Sequence, residues 1–294
     1  MIHAITLKGV SKHYDDFALH DINLALPTGQ VMGLVGVNGA GKSTLLRLLM
    51  GLVRADGGEV EVLGQRLPQS QVAVKREIGY ASDDMRLYKG QTMRWHMDFI
   101  RGVYPRWDEA YAQDLLKRFD LRPQQAIGGF SHGQRVKALL LLLFARHPKL
   151  LLLDEPTTGL DPVARGEVLD AIAEVLRDEE RSILFSSHNT ADVEQMADSI
   201  TFLQDGKIIA SRDKELFLDG WRRILCRGVM TDAIRRLAGV ASVRDSAPLI
   251  EIKTGTFDDG TVPALQGLGL AVESVEAMPL EDIFITTVHG SRSE

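Results

Sequence analysis

The sequence predicts an α/β protein: a mainly parallel sheet flanked by helices, with an antiparallel β piece, a helical insertion and a small α+β domain behind it. Three observations predict this. Short apolar runs at residues 31–35, 150–153, 183–186 and 200–203 alternate with segments of helical texture, and strands that alternate with helices argue parallel β-α-β units. The first run leads directly into a glycine-rich stretch, GVNGAGKST at 36–44, and then into Leu45, Leu46, Leu48 and Leu49, the order strand, loop, helix. Beyond about residue 214 the texture changes to short strands and helices in the order β-α-β-β-α-β.

Taken in order, Ile2, Ala4, Ile5 and Leu7 make an imperfectly alternating strand. Ile22, Leu24 and Leu26 make a cleaner one that ends at Pro27, Thr28 and Gly29. The helix after the glycine-rich loop stops near Gly51, Asp56, Gly57 and Gly58 turn the chain into a strand over 59–63, and another strand follows at 78–81. From residue 83 the chain becomes helical. Thr92 caps a helix to about Val103, Pro105 interrupts, and Asp108 caps a second to about Phe119. The insertion ends at Gly128 and Gly129, and residues 136–145 form a helix so apolar that it must be buried. Helices begin near Pro162 and Asn189, between the later strands of the sheet. The last part supplies strands at 224–228, 242–244, 249–252 and 272–275, helices at 231–237 and 262–268, and an amphipathic helix at 280–288. We read residues 1–215 as one domain and 216–294 as a small ferredoxin-like one.

Composition agrees with one domain of about 200 residues plus a small one in a chain of 294. With 45% apolar and 25% charged residues the protein is neither disordered nor disulfide-stapled. The formal net charge of −6 and a pI near 5.8 leave no broad basic surface for nucleic acid, and no nucleic-acid partner is expected. The single cysteine, Cys226, excludes an intrachain disulfide and fits a reducing compartment. The longest wholly apolar run, 138–145, is far short of the ~18–20 residues that span a bilayer. No basic segment followed by an apolar stretch opens the chain, so no secretory signal is expected.

The stretch 36–44 fits G-x-x-x-x-G-K-[ST], in which backbone N–H groups close around phosphate oxygens, Lys42 reaches the terminal phosphates and the Ser43 hydroxyl can bind magnesium. A dinucleotide fingerprint beginning at Gly39 would need a glycine where Thr44 stands. The run 150–153 ends in Asp154 and Glu155, acids placed where a buried parallel strand meets its ligand crevice. Successive strand residues point oppositely, so one acid, Asp154, can hold magnesium while Glu155 faces a water beside the terminal phosphate. Ser131 and Gln134 form a helix capping box with His132 and Gly133 between them, and the same helix N-terminus, with Ser131 and Gly133, is an anion site. Asp161 before Pro162 is an N-cap in its own right. His188 follows the strand at 183–186 in the crevice position, and Tyr14 in an early loop can stack on a base or simply pack.

The order GVNGAGKST, FSHGQ, LLLLDEP, TTGLDP, SSH resembles that of the ATP-binding subunit of an ABC transporter, over about residues 2–215. The resemblance implies a RecA-like P-loop ATPase core with a helical subdomain at about 84–149. It makes 36–44 the Walker A loop, with Gly36, Asn38, Gly39, Ala40, Gly41, Lys42, Ser43 and Thr44 at the nucleotide. It makes Asp154 the Walker B acid and Glu155 the catalytic glutamate, and it sets Ser131, Gly133 and Gln134 on the signature. Asp161 falls on the D-loop, His188 on the switch histidine and Tyr14 on the adenine-stacking aromatic. ATP and Mg2+ are the implied cofactors. The implied partners are a second ATP-binding subunit, packed head to tail so that each signature closes the other's site, and an integral membrane permease encoded separately. The implied place is the cytoplasm, on the inner face of the cell membrane through that permease.

Two positions depart from the family pattern. His132 stands where the signature usually has its first glycine, a position at which the exporter branch often carries a bulkier residue. Asp83 stands where a glutamine usually contacts magnesium and the attacking water; an acid there can still bind a hydrated metal but alters rate and coupling. SDD at 82–84, YPRWDE at 104–109 and PLEDIF at 279–284 resemble single-cassette exporters of drug or polymer type, which points to export. Soluble relatives acting on nucleic acid or ribosomes usually carry two cassettes or long coiled coils, and this chain has neither. A regulatory module that hydrolyses poorly is suggested only by Asp83, and Glu155 and His188 argue against it. Trp95, Phe99, Tyr104 and Trp107 are too many aromatics for an insertion with one side to bury, so part of it is expected to face the permease.

Overall fold

A computed structural model describes residues 2–82, 84–176, 180–246 and 248–291. They form two compact units, Met1–Ile208 and Ile209–Glu294.

The first unit begins with β1 (His3–His13), β2 (Ala18–Pro27) and β3 (Val31–Val35), followed by α1 (Lys42–Leu49). Then come β4 (Gly57–Val62), β5 (Gln65–Leu67), α2 (Gln71–Glu77) and β6 (Ile78–Ser82). The insertion holds α3 (Met93–Val103) and α4 (Glu109–Arg118), and α5 (His132–Phe144) leads out of it. The chain returns to the core with β7 (Leu150–Asp154), α6 (Pro162–Val175), β8 (Ser182–Ser187), α7 (Thr190–Met196), β9 (Ser199–Gln204) and β10 (Lys207–Asp213).

Two sheets result. One, ordered β2-β1-β4-β5, is antiparallel, so the strands that follow the glycine-rich loop join those that precede it. The other is ordered β10-β9-β3-β8-β7-β6, and its pairs from β9 to β6 are parallel. β3, β7 and β8 are buried along their whole length, as parallel strands covered on both faces must be. One apolar core joins the sheets: Ile5, Leu7, Ile22 and Leu26 from the first, Leu34, Leu150, Leu152 and Leu184 from the second, with Leu45, Leu46, Leu48 and Leu49 of α1 between them. Short elements escaped the sequence reading. α2 has seven residues and buries only Val74, too little periodicity to register.

The caps of the insertion form as the sequence suggests. The Thr92 side chain accepts the Trp95 N–H and the Asp108 side chain accepts the Tyr111 N–H. In α5, Leu140, Leu141, Leu142, Leu143 and Phe144 are all buried, and the largely buried Lys137 is paired with Glu167 of α6.

The boundary falls within β10, and the second unit continues with α8 (Lys214–Gly220), β11 (Arg222–Arg227), α9 (Asp232–Arg235), β12 (Val240–Ser246), β13 (Leu249–Thr254), α10 (Thr261–Gly267), β14 (Ala271–Ala277) and α11 (Leu280–Ser291). Its sheet is ordered β12-β13-β11-β14 with every pair antiparallel. Each crossover carries one helix, the interleaving of a ferredoxin-like domain. Ile224, Cys226, Ile250, Ile252, Ile234, Leu265 and Leu270 form its core, so the cysteine is a packing residue.

Leu152 is fully buried in the strand that carries Asp154. We predict that Leu152→Ala lowers stability by about 2–5 kcal/mol in reversible denaturant unfolding.

Candidate active site

β8 pairs with β3 on one side and β7 on the other, Ser186 lying opposite both Leu34 and Asp154. The loop after β3, the acids at the end of β7 and His188 after β8 therefore leave the sheet at one edge. That is the carboxyl edge, where open α/β sheets bind ligands.

Beyond β3 the chain turns through the glycine-rich loop into α1. Gly41 caps the helix at φ 109°, a left-handed conformation that suits glycine. A Cβ there would stand 2.6 Å from the Phe17 ring. No side chain caps α1 and no acid occupies its first turn, so its first N–H groups and the positive end of its dipole are available to an anion. Lys42, buried at the start of α1, donates from Nζ to the Gly36 carbonyl at 2.7 Å and lies 3.3 Å from Glu155 Oε1. The cleft is lined by Asn38, Gly39, Gly41, Lys42, Ser43 and Thr44 from the loop and α1, by Glu155, and by Asp16 and Phe17 from the β1–β2 loop.

The two acids separate in a way that strand alternation does not explain. β7 ends at Asp154, and Glu155 takes φ +54°; this left-handed step sends the two carboxylates apart. Asp154 stays buried, its Oδ1 accepting Ser186 Oγ–H at 2.6 Å, while the same Oγ accepts the Glu155 N–H at 3.0 Å. The Glu155 carboxylate enters the cleft with its oxygens differently engaged: Oε1 faces Lys42, whereas Oε2 accepts Thr158 Oγ1–H at 3.0 Å and lies 2.6 Å from His188 Nδ1. A carboxylate only accepts, so His188 carries a proton on Nδ1 in this bond. Burial by itself raises the Glu155 carboxyl. The hydrogen bond from His188, the Lys42 charge and the Thr158 hydroxyl outweigh it and hold the group below its ordinary value.

Other residues singled out in the sequence lie outside this cleft lining. Ser131 and Gln134 form the capping box of α5, Ser131 Oγ accepting the Gln134 N–H at 3.2 Å and Gln134 Oε1 accepting the Ser131 N–H at 3.0 Å. Gly133 follows in the first turn; a Cβ there would make only ordinary contact with Ala164 and Leu160. Asp161 caps α6 through the Val163 and Ala164 N–H groups, which lower its carboxyl. Tyr14 is half exposed beside Lys12, whose Nζ is 5.5 Å from the ring, and the aromatic in the cleft lining is Phe17. Ala40 is buried, so only its backbone can serve a ligand. Asp83 lies outside the described residues.

Among the described residues no group of three His, Cys, Asp or Glu side chains could hold a metal ion. Magnesium needs no such cage: it keeps waters, takes phosphate oxygens and uses one or two hard protein oxygens. The Ser43 hydroxyl and the Asp154 carboxylate fit that donor set. The sequence reading missed Phe17, Thr158 and Ser186. Thr158 and Ser186 stood within TTGLDP and SSH, but a hydroxyl's contact with another element is recognisable only once the chain has folded.

The ABC transporter family pattern matches residues 19–158. ABC transporter ATP-binding protein YtrB of Bacillus subtilis (strain 168) is 35% identical over 98% of this chain and 99% of its own length. Daunorubicin resistance ATP-binding protein DrrA3 of Streptomyces coeruleorubidus is 31% identical over 96% of this chain and 95% of its own. A solved structure described as the ATP-binding subunit of an ABC transporter superposes with a TM-score of 0.66 at 28% identity, covering 72% of this chain and 91% of that one.

A carboxyl whose folded pKa is lowered contributes stability that is complete above its unfolded value and is lost as the pH falls through the folded one. The melting temperature of the wild type minus that of Glu155→Gln should therefore be constant near neutrality and fall once the pH drops below the ordinary value of 4.5. A difference that is flat into strong acid would remove the charge from the account of this site.

Proposed function

Because this chain belongs to the ATP-binding proteins of the ABC transporter family, we propose that it powers export through a separately encoded membrane permease. It binds and hydrolyses ATP. The observation that carries the catalytic reading is the Lys42–Glu155–His188 cluster, in which one carboxylate oxygen faces the phosphate-loop lysine and the other is held by three hydrogen-bond donors, the Thr158 hydroxyl and the ring and backbone N–H of His188.

On this reading the β- and γ-phosphates lie against the N–H groups of 36–44 and draw Lys42 from Glu155 to the terminal phosphate. Oε1 of Glu155 is then free to accept a hydrogen bond from water, while Thr158 and His188 keep Oε2 in place. Water attacks the γ-phosphorus in line, its bond to the bridging oxygen breaks, and Glu155 takes the proton, leaving ADP and phosphate. His188 orients the carboxylate, and the rest of its ring is exposed. Ser43 and Asp154 would hold Mg2+, which would supply positive charge to offset that of the phosphates. Asp83 is assigned to the same metal's hydration shell. Tyr14, or Phe17 beside it, receives the adenine. Ser131, Gly133, Gln134 and Asp161 serve the nucleotide of a second subunit in a head-to-tail dimer, which accounts for a well-formed helix N-terminus that does not line its own chain's cleft.

The export direction is supported by similarity to DrrA3, which extends along 96% of this chain. No described helix is long and apolar enough to cross a membrane. The proposed place is the membrane's inner face, reached through the permease. A docking face is available on the insertion. Trp95 and Phe99 stack with ring centroids 5.4 Å apart and both are exposed, and Tyr88 meets Trp95 edge-on at 5.7 Å. Tyr104 and Trp107 are engaged internally, by the Arg146 guanidinium 3.5 Å over the ring and by Glu109. Exposed aromatics clustered in this way, two on α3 and Tyr88 just before it, are what an interface buries.

Lys42→Ala should abolish tight ATP binding in calorimetry, since only the backbone cradle remains. Glu155→Gln should bind ATP normally and hydrolyse it about 10² to 10⁴ times more slowly; turnover within about twofold of wild type would remove Glu155 from the mechanism. Crosslinkers placed at Trp95 and Phe99 should capture the permease, and crosslinks confined to other surfaces would move the docking face.

A further inference from the structure

His132 opens α5 directly after Ser131, and its ring reaches to the turn that follows Glu155. His132 Nε2 lies 3.1 Å from the Thr158 carbonyl oxygen. A carbonyl only accepts, so Nε2 is the protonated nitrogen in this bond. Thr158 is thereby held from two sides, because its N–H donates to the Glu155 carbonyl at 3.2 Å and its hydroxyl to Glu155 Oε2 at 3.0 Å. The residue beyond it, Gly159, stands at φ +71°, and a Cβ there would come within 3.2 Å of His132 Nε2. The ring therefore sits against the one position in this turn where the backbone has glycine's freedom.

We propose that His132 is a positioning residue for hydrolysis: by clamping the peptide between Thr158 and Gly159 it keeps the Thr158 hydroxyl aimed at Glu155. The aim of the carboxylate depends on that hydroxyl as well as on His188, and the hydroxyl's direction depends on how the Thr158 backbone is set. A glycine at 132 would leave the Thr158 carbonyl to water. The side chain also ties the helix N-terminus bearing Ser131 to the catalytic carboxylate of the same chain. If Ser131 meets the opposite subunit's nucleotide, the two ATP sites communicate through this bond. The inference rests on Glu155 being the catalytic carboxylate.

The test is single-turnover hydrolysis by the full-length protein at saturating ATP, with ATP affinity titrated separately. His132→Gly should slow hydrolysis about three- to tenfold, the effect of one modest hydrogen bond, with ATP affinity unchanged. His132→Gln, which keeps a side-chain N–H donor, should recover most of the rate, and His132→Leu should not. Thr158→Val should slow hydrolysis too, and adding His132→Gly to it should cost nothing more, since both act on one contact. A wild-type rate in His132→Gly, equal loss in the Gln and Leu variants, or additive losses with Thr158→Val would overturn the proposal. Glu155→Gln in the same assay separates the two levels. If it turns over like wild type, the catalytic reading fails and takes His132 with it; if it is inactive while His132→Gly is not slowed, only the role of His132 falls.

Discussion

Everything at the catalytic edge depends on β8 pairing in parallel with β3 and β7 at once. Parallel neighbours end at the same side of a sheet, so three loops far apart in sequence deliver Lys42, Glu155 and His188 to one place. Ser186 makes the registration chemical as well as geometric. Its hydroxyl donates to Asp154 and accepts the Glu155 N–H, so a slip of one residue would face it away from both. The apolar residues of these strands fix that register from within.

The charges at this edge are stable only as a set. Lys42 and Asp154 are buried and Glu155 is largely so, and a buried ion without partners is costly. Each has its compensation: Gly36 and Glu155 for Lys42, Ser186 for Asp154, and Lys42, His188 and Thr158 for Glu155. On the function proposed above, the pairing of Lys42 with Glu155 would also make the site responsive, because an entering phosphate would compete for the lysine and change what one carboxylate oxygen faces. The other oxygen, held by three donors from Thr158 and His188, would keep the group oriented through that exchange.

Helix caps show how one arrangement can satisfy both stability and function. The bonds between Ser131 and Gln134 complete the N-terminus of α5, and Asp161 does the same for α6. These are sound helix starts by local rules alone. A helix start is also a natural anion site, so the role proposed for these residues at a neighbouring nucleotide would need no departure from good local structure. His132 is the exception to local economy, since its side chain serves the turn after Glu155 rather than its own helix.

Much of this protein was legible in its sequence. Runs such as 150–153 and 183–186 could be read as buried parallel strands because period and apolarity are local properties, and Thr92, Asp108 and Asp161 declared helix starts for the same reason. The phosphate loop declared itself through spacing, since its chemistry lies in consecutive backbone N–H groups. The second unit's element order was also readable, while its sheet order β12-β13-β11-β14 was not, because pairing between distant strands leaves no local trace. Tertiary structure alone decided that Phe17 rather than Tyr14 lines the cleft, that the backbone at Glu155 is left-handed, that Ser186 and Thr158 bond the two acids, and that His132 bonds Thr158. Sequence sets which groups a segment can offer; which of them meet depends on strand registry and backbone hand, and these are settled by packing across the whole sheet.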